Sequence, residues 1–216
     1  MRQRTAFLLA VCSLLGCVDC AAAQSAPRTG AEAFILIDAE SGRVLAGENI
    51  ERELAIASTT KIMTALVALE SGSLSDKVTV KQNYLKEGSS MYLRADEVLT
   101  LEDLLYGLLL PSGNDAAECI ADHCGGGTER FVAKMNEKAA ALGMTHTAFQ
   151  NPSGLDAQGH YSCALDMARL AACAMREPTF ARIAATRTAA VGERMLGNHN
   201  KLLASLEGCI GLKTGY

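Results

Sequence analysis

The sequence predicts an α+β fold: an antiparallel sheet flanked by helices, with an all-helical lobe inserted into it. Three observations carry that expectation. Strand-like segments fall at the two ends of the chain, amphipathic helical segments fill its middle, and 49% of the 216 residues are hydrophobic against 20% charged. That is enough apolar material for one sizeable core. Strands segregated from helices are the α+β pattern, with the sheet gathered from strands distant in sequence.

The first residues stand apart from the fold. "MRQRTAFLLAVCSLLGCVDCAAAQSAP" has Arg2 and Arg4, an apolar stretch from Ala6 to Val18, and small residues at Ala21, Ala22 and Ala23. This is the build of a secretory signal, too short for a membrane span. Removal after Ala23 divides the chain into a leader, 1–23, and a domain, 24–216. A second reading takes "LLGC" as a lipoprotein cleavage site that leaves Cys17 lipidated; Leu15 is bulky for that position and ranks it second. Either way the chain leaves the cytoplasm.

The elements follow in order. "AFILIDAESGRVLAGEN" reads as two strands around an Asp-Ala-Glu-Ser-Gly turn, a hairpin between Ala33 and Glu48. "STTKIMTALVALESG" has helical periodicity from Ser58 and a stop at Gly72. "KVTV" is a short strand. "TLEDLLYGLLL" is a helix capped by Thr100 and ended by Pro111, and another runs from Asp115 to Cys124 before three glycines. "TERFVAKMNEKAAALG" is an amphipathic helix with Thr128 as its cap and Gly143 as its stop. "NPSGLDAQGHYS" is an irregular loop, and helices follow at 162–175 and 178–185. "TRTAAV" and "GCIGLKTGY" read as strands.

Several function classes are excluded early. A net charge of −4 offers no footprint for nucleic acid. Of eight cysteines, three lie in the leader, and the remaining five are too odd in number to pair fully. There is no Cys-x-x-Cys and the four histidines are scattered, so neither a metal site nor a cofactor is expected.

Three polar features interrupt the apolar patterns. In Ser58-x-x-Lys61, residues three apart on a helix share a face, with Cβ atoms roughly 5–6 Å apart, so the lysine can reach the serine hydroxyl. Serine is a weak nucleophile until a neighbour accepts its proton, and lysine does so only when its pKa is lowered. The bland reading is an N-cap serine followed by a solvated lysine. In Ser112-Gly113-Asn114, a polar turn after Pro111 offers a hydroxyl to relay a proton and an amide to bind a carbonyl; the bland reading is a helix–helix linker. In Lys213-Thr214-Gly215, a strand edge offers an ammonium, a hydroxyl and a residue without a side chain, through which a ligand can approach. The bland reading is an edge lysine that discourages aggregation.

The three occur once each and in the order SxxK, SxN, KTG, the signature of serine penicillin-binding enzymes. With the flanks "ASTTKIMTALVALE", "EGSSMYLRADEVLTLEDLLYGLLLPSGNDAAECIAD", "FVAKMNEKAAALGMTHTAFQNPSGLD", "GHYSCALDMARLA" and "GLKTGY", residues 33–216 closely resemble the bacterial D-alanyl-D-alanine carboxypeptidases, low-molecular-mass penicillin-binding proteins of peptidase family S11. The resemblance implies the β-lactamase/DD-peptidase-like version of the α+β fold, with the site in the cleft beside the helical lobe. It implies Ser58 as the acylated nucleophile, Lys61 as its proton acceptor and Ser112 as the relay to the leaving D-alanine. Asn114 would orient the peptide, Lys213 and Thr214 would hold the terminal carboxylate, and the backbone N–H groups of Ser58 and Tyr216 would form the oxyanion hole. It implies stem peptides ending in D-Ala-D-Ala as substrate, β-lactams as covalent inhibitors, and a place in the bacterial cell envelope.

The departures are Ile56 for a usual proline, Cys163 for a usual threonine, read as packing, and Ile210 for a common aspartate. Family members continue past KTG with further strands and a closing helix, and often reach a membrane surface through a C-terminal anchor. The sequence is therefore expected to be truncated just after KTG, without the strands that cover that edge. Rival readings are a serine β-lactamase, a DD-endopeptidase, and an inert cell-wall-binding fragment. The first needs a Glu in an ExxxN loop; Glu118, Glu129, Glu137, Glu177 and Glu193 all lack that spacing.

Overall fold

The computed structural model describes residues 29–215. The expected leader, with Cys12, Cys17 and Cys20, and the Tyr216 backbone lie outside the described residues.

The expected hairpin is present as β1 (Phe34–Ile37) and β2 (Val44–Glu48), paired antiparallel from Phe34↔Glu48 to Ile37↔Val44. Its turn is tied by the Asp38 carboxylate, which accepts from the Ser41 N–H at 2.8 Å. The chain then forms a 3-10 turn (Ala57–Thr60) that feeds α1 (Lys61–Ser71). Helix α1 is buried from Lys61 through Ala68, because its sequence "KIMTALVA" leaves almost no polar face to turn outward. It is the axis of the lobe. Packed around it are α2 (Leu101–Leu109), α3 (Asn114–Gly125), α4 (Thr128–Ala141), α5 (Ala164–Ala174) and α6 (Pro178–Ala184). Their buried Leu104, Leu105, Leu108, Ile120, Phe131, Leu170 and Phe180 complete one continuous core.

Helix α2 begins as the sequence requires. The Asp103 N–H donates to Thr100 Oγ1 and the Thr100 N–H donates to Asp103 Oδ2, each at 3.0 Å, satisfying two of the free donors at a helix start. Strand β3 (Lys77–Thr79) pairs antiparallel with β4 (Val98–Thr100), which the sequence reading did not anticipate. A second hairpin, β5 (Thr188–Val191) with β6 (Arg194–Gly197), precedes a one-turn α7 (Leu202–Ser205).

Three expectations need correction. The cap of α4 is Gly127, not Thr128: Gly127 has φ +131, which glycine alone tolerates, so the chain turns into the helix one residue earlier. Among the described residues the sheets are three separate two-stranded pairs, and strands from the two chain ends share none. The segment 209–215 is not a strand. A strand needs a ladder partner for its backbone groups, and among the described residues β1 pairs only with β2 and β5 only with β6, so neither hairpin takes up this segment. The alternation of Lys213 and Gly215 against Thr214 therefore does not arise. Residues 210–212 run instead along an apolar groove of about 720 Å³ between β1 and α5.

Candidate active site

The site grows out of the 3-10 turn. A 3-10 turn has three residues per revolution, so residues i and i+3 eclipse more closely than on an α-helix. Ser58 lies in this turn and Lys61 begins α1, which sets Lys61 Nζ 3.3 Å from Ser58 Oγ. The turn is strained: Ala57, immediately before Ser58, has φ +43, a left-handed value rare outside glycine.

Lys61 is fully buried, and its ammonium meets two further oxygens. Asn114 Oδ1 accepts from Nζ at 2.8 Å and the Ser153 carbonyl accepts at 2.5 Å. Burial, assisted by the charge of Lys213, lowers the Lys61 pKa from its ordinary 10.5 to about 7, against an opposing pull from Asp115. The orientation of Asn114 is fixed by chemistry: its Nδ2 donates to the Glu87 carbonyl at 2.8 Å, which can only accept, so Oδ1 faces the lysine. One of the two Nδ2 hydrogens remains for another partner.

The expected polar turn links α2 to α3. Gly113 sits where a Cβ would lie 2.7 Å from Asp115 Oδ1 and 3.0 Å from the Gly107 carbonyl. Ser112 is buried with φ +66, and its Oγ is a buried polar atom without a hydrogen-bond partner among the described residues. Such an atom costs stability unless something else binds it. Asn114 heads α3, and its N–H donates to the Ser89 carbonyl at 2.7 Å.

The KTG segment reaches the same place. A Cβ on Gly215 would stand 3.5 Å from Thr59 Cγ2 and 3.6 Å from the Ile56 carbonyl, so the segment lies beside the serine turn. Lys213 is half-buried, and burial lowers its pKa from 10.5 to about 8; its Nζ donates to the Thr214 carbonyl at 2.9 Å. Burial, assisted by the charge of Lys213, holds the His199 pKa below its usual value. Thr214 is exposed. The structure thus joins Ser58, Lys61 and Asn114 directly, brings Lys213 and Gly215 alongside, and leaves the Ser112 hydroxyl free. Among the described residues no group of three or more His, Cys, Asp or Glu side chains gathers in a metal-binding arrangement.

Sequence reasoning missed the supports. The loop read as irregular, Asn151-Pro152-Ser153-Gly154, is folded by the Asn151 side chain. Its Oδ1 accepts from the Ser153 and Gly154 N–H groups at 3.1 and 2.7 Å, and its Nδ2 donates to the Leu155 carbonyl at 2.7 Å. That turn presents the Ser153 carbonyl to Lys61, while Thr64 Oγ1 donates to the Pro152 carbonyl at 2.6 Å. Gly154, with φ +86, packs so tightly that a Cβ would fall 1.9 Å from the Ala57 carbonyl. Asp115, also missed, is buried and accepts from Ser90 Oγ at 2.5 Å, from the Met91 and Leu93 N–H groups at 3.1 Å, and from the Ala116 N–H at 2.9 Å. It folds the 90–93 segment beside Asn114. The legible signals were an Asn-Pro-Ser-Gly turn signature and an aspartate directly after the SxN triplet.

A helical lobe around a buried helix, small antiparallel sheets, and a serine with a desolvated lysine one turn on have the build of a serine acyl-transfer site. A family model described as D-alanyl-D-alanine carboxypeptidase, Peptidase_S11, matches residues 20–216. The chain belongs to this family. It is 38% identical over 197 residues to the D-alanyl-D-alanine carboxypeptidase DacF of Bacillus subtilis, covering 86% of this chain and 51% of that protein. To DacB2 of Mycobacterium tuberculosis it is 41% identical over 197 residues, covering 88% and 67%. Among solved structures, a D-alanyl-D-alanine carboxypeptidase from Mycobacterium tuberculosis superposes with a TM-score of 0.86 at 38% identity, over 91% of this chain and 76% of that one. The Streptomyces K15 DD-transpeptidase gives 0.82 at 33%, over 89% and 82%. The chain spans about half the length of the DacF protein it matches.

Proposed function

We propose that this protein is a serine-type D-Ala-D-Ala carboxypeptidase, which removes the terminal D-alanine of peptidoglycan stem peptides through an acyl-enzyme on Ser58. The observation that carries the reading is the state of Lys61. With a pKa of about 7 its amine is about half neutral at pH 7. A neutral amine has two N–H donors and one lone pair. Asn114 Oδ1 and the Ser153 carbonyl cannot donate, so they take the two N–H groups and leave the lone pair for the Ser58 hydroxyl proton.

The steps balance on these groups. Ser58 Oγ attacks the carbonyl carbon of the penultimate D-alanine as its proton passes to Lys61. The tetrahedral oxygen lies against backbone N–H groups, for which Ser58 and Tyr216 are the candidates; each such donor contributes about 2.7–4 kcal/mol to the transition state. The bond to the leaving D-alanine then breaks, and its nitrogen takes the proton from the Lys61 ammonium through the Ser112 hydroxyl. Water attacks the ester, Lys61 takes its proton and returns it to Ser58, and the shortened peptide leaves. Asn114 contributes its spare Nδ2 hydrogen to the peptide carbonyl. Lys213 and Thr214 bind the terminal carboxylate. A β-lactam follows the same acylation, and its ring carboxylate takes the place of the peptide terminus.

The substrate, the leader at 1–23 and the single domain at 24–216 fit a protein exported to the bacterial cell envelope. Labelling with a fluorescent penicillin tests the reading: label is expected on the parent and absent from Ser58→Ala. Equal labelling of that variant would sink the assignment. Release of free D-alanine from a D-Ala-D-Ala peptide, with no hydrolysed penicillin accumulating, separates a carboxypeptidase from a β-lactamase.

A further inference from the structure

Thr60, between Ser58 and Lys61 in the chain, is buried, and its Oγ1 lies 2.8 Å from His160 Nε2. The other ring nitrogen, Nδ1, accepts the Gln150 N–H at 3.0 Å. A backbone N–H can only donate, so Nδ1 is bare, the ring hydrogen sits on Nε2, and it is given to Thr60. Phe149 packs edge-on at 5.9 Å and fixes the ring plane. The imidazole therefore ties the serine turn to Gln150, three residues before the carbonyl of Ser153 that receives Lys61. Neither hydrogen bond of His160 goes to Ser58 or Lys61.

We propose that His160 is a positioning residue for acylation: uncharged and in its Nε2–H form, it locks the Ser58 turn to the 150–153 loop and so keeps the Ser153 carbonyl on Lys61. This rests on the reading of Ser58 and Lys61 given above. A second proton, on Nδ1, would point at the Gln150 N–H; two donors would face each other and the link would open. Burial holds the His160 pKa below its ordinary 6.5, so the link is intact at neutral pH. Of the charged groups about the ring, Asp156 in its own loop favours the protonated form, and Lys61 follows Thr60 in the chain at the start of α1.

The consequence is a second proton in the pH profile. Acylation needs neutral Lys61 and neutral His160, so the logarithm of the acylation rate should fall with slope 1 just below pH 7. It should fall with slope 2 once His160 also protonates. In His160→Gln the slope should stay at 1 throughout, with the rate at pH 8 lowered by up to about 100-fold, the effect of a misplacement near 1 Å. The measurement is stopped-flow acylation by a fluorescent penicillin, alongside NMR titration of the His160 ring in the parent. The parent's steepening should coincide with the His160 titration. A parent slope of 1 on both sides of that titration, or an unchanged slope of 2 in His160→Gln, overturns the proposal. Should that variant fail to fold, the ring 15N spectrum of the parent still decides: a bare Nε2 or a protonated Nδ1 at pH 8 overturns it. The tautomer needs no activity, so its failure is distinct from failure of Ser58 to acylate.

Discussion

Lys61 opens a helix buried on every side and meets oxygens from three separate segments, whereas Lys213 lies on irregular backbone, half-buried, bonded to the carbonyl of the next residue. Both have lowered pKa values, about 7 and about 8, and both owe the shift mainly to burial. The difference lies in what fixes each amine in space. Around Lys61, the Asn151 turn, the Gly154 contact and the α2–α3 turn cross-link the serine turn, so the geometry exists before any ligand arrives. Lys213 is aimed chiefly by the seating of Gly215 against Ile56 and Thr59. The first half of the site suits bond-making, which tolerates little positional error; the second suits charge recognition, which tolerates more.

The sharpest way to break this contrast is Gly154→Ala. A Cβ 1.9 Å from the Ala57 carbonyl cannot be absorbed by a side-chain rotation, because the Cβ position is fixed by its own backbone and the atom it meets is backbone. The φ of +86 adds strain for any L-residue. Either the loop withdraws the Ser153 carbonyl from Lys61 or the serine turn shifts. Penicillin acylation should fall by about 100-fold with the far-ultraviolet dichroism retained. Acylation at the parent rate would show that the loop does not position the serine.

Lys213→Ala should hurt recognition more than bond-making. Losing a charged hydrogen bond to a carboxylate costs about 1.5–3 kcal/mol, or roughly 10- to 100-fold in kcat/KM. A peptide whose terminal carboxylate is amidated should lose little, and that comparison isolates the charge. In the parent, hydrolysis of the carboxylate peptide should rise through about pH 7 as Lys61 becomes neutral and decline through about pH 8 as Lys213 loses its proton. In Lys213→Ala the alkaline decline should vanish; if it persists, another group sets it.

The burial of Lys61 also has a signature in stability. Between about pH 7 and 10.5 the unfolded chain carries a proton on Lys61 that the folded chain lacks. Folding is therefore favoured by rising pH, by about 1.4 kcal/mol per unit for this one group. Below pH 7 both states are protonated and the full cost of the buried charge is present. Urea unfolding at pH 7, 8 and 9 should show the parent gaining on Lys61→Met across that window. Parallel pH dependences would place the Lys61 titration elsewhere.

How much of this was legible depends on whether a residue acts through local spacing or through the packing of distant segments. Ser58 and Lys61 are three apart, and the i to i+3 geometry of a helical start was sufficient to pair them. Thr100 with Asp103 was readable for the same reason. The 3-10 character of the serine turn was not, since it depends on the Gly154 loop pressing on Ala57 from nearly a hundred residues away. Ser153, Asp115 and His160 act through a backbone carbonyl, a nest of N–H groups and a buried ring. Composition and periodicity carry no trace of such partners. The strand expected at KTG failed because alternation reports a half-buried extended segment, while a strand also needs a hydrogen-bonded partner strand, which alternation does not report.

Cys163 offers the gentlest test, because it is buried at the start of α5 and has no hydrogen bond to Ser58, Lys61 or Asn114. It is the N-cap of α5, with the extended backbone that a cap requires, but its side chain makes no capping hydrogen bond. It is buried, and burial raises its thiol pKa, so it serves as packing, as expected. Serine has nearly the same shape and a far better acceptor oxygen, able to take one of the free N–H groups of the first turn. Cys163→Ser should therefore raise stability by about 0.5–1 kcal/mol while leaving penicillin acylation within twofold of the parent. A loss of stability would mean that this position favours a soft apolar atom over a cap. A loss of acylation would mean that α5 communicates with Lys61, and that the rigid half of the site extends further than its hydrogen bonds.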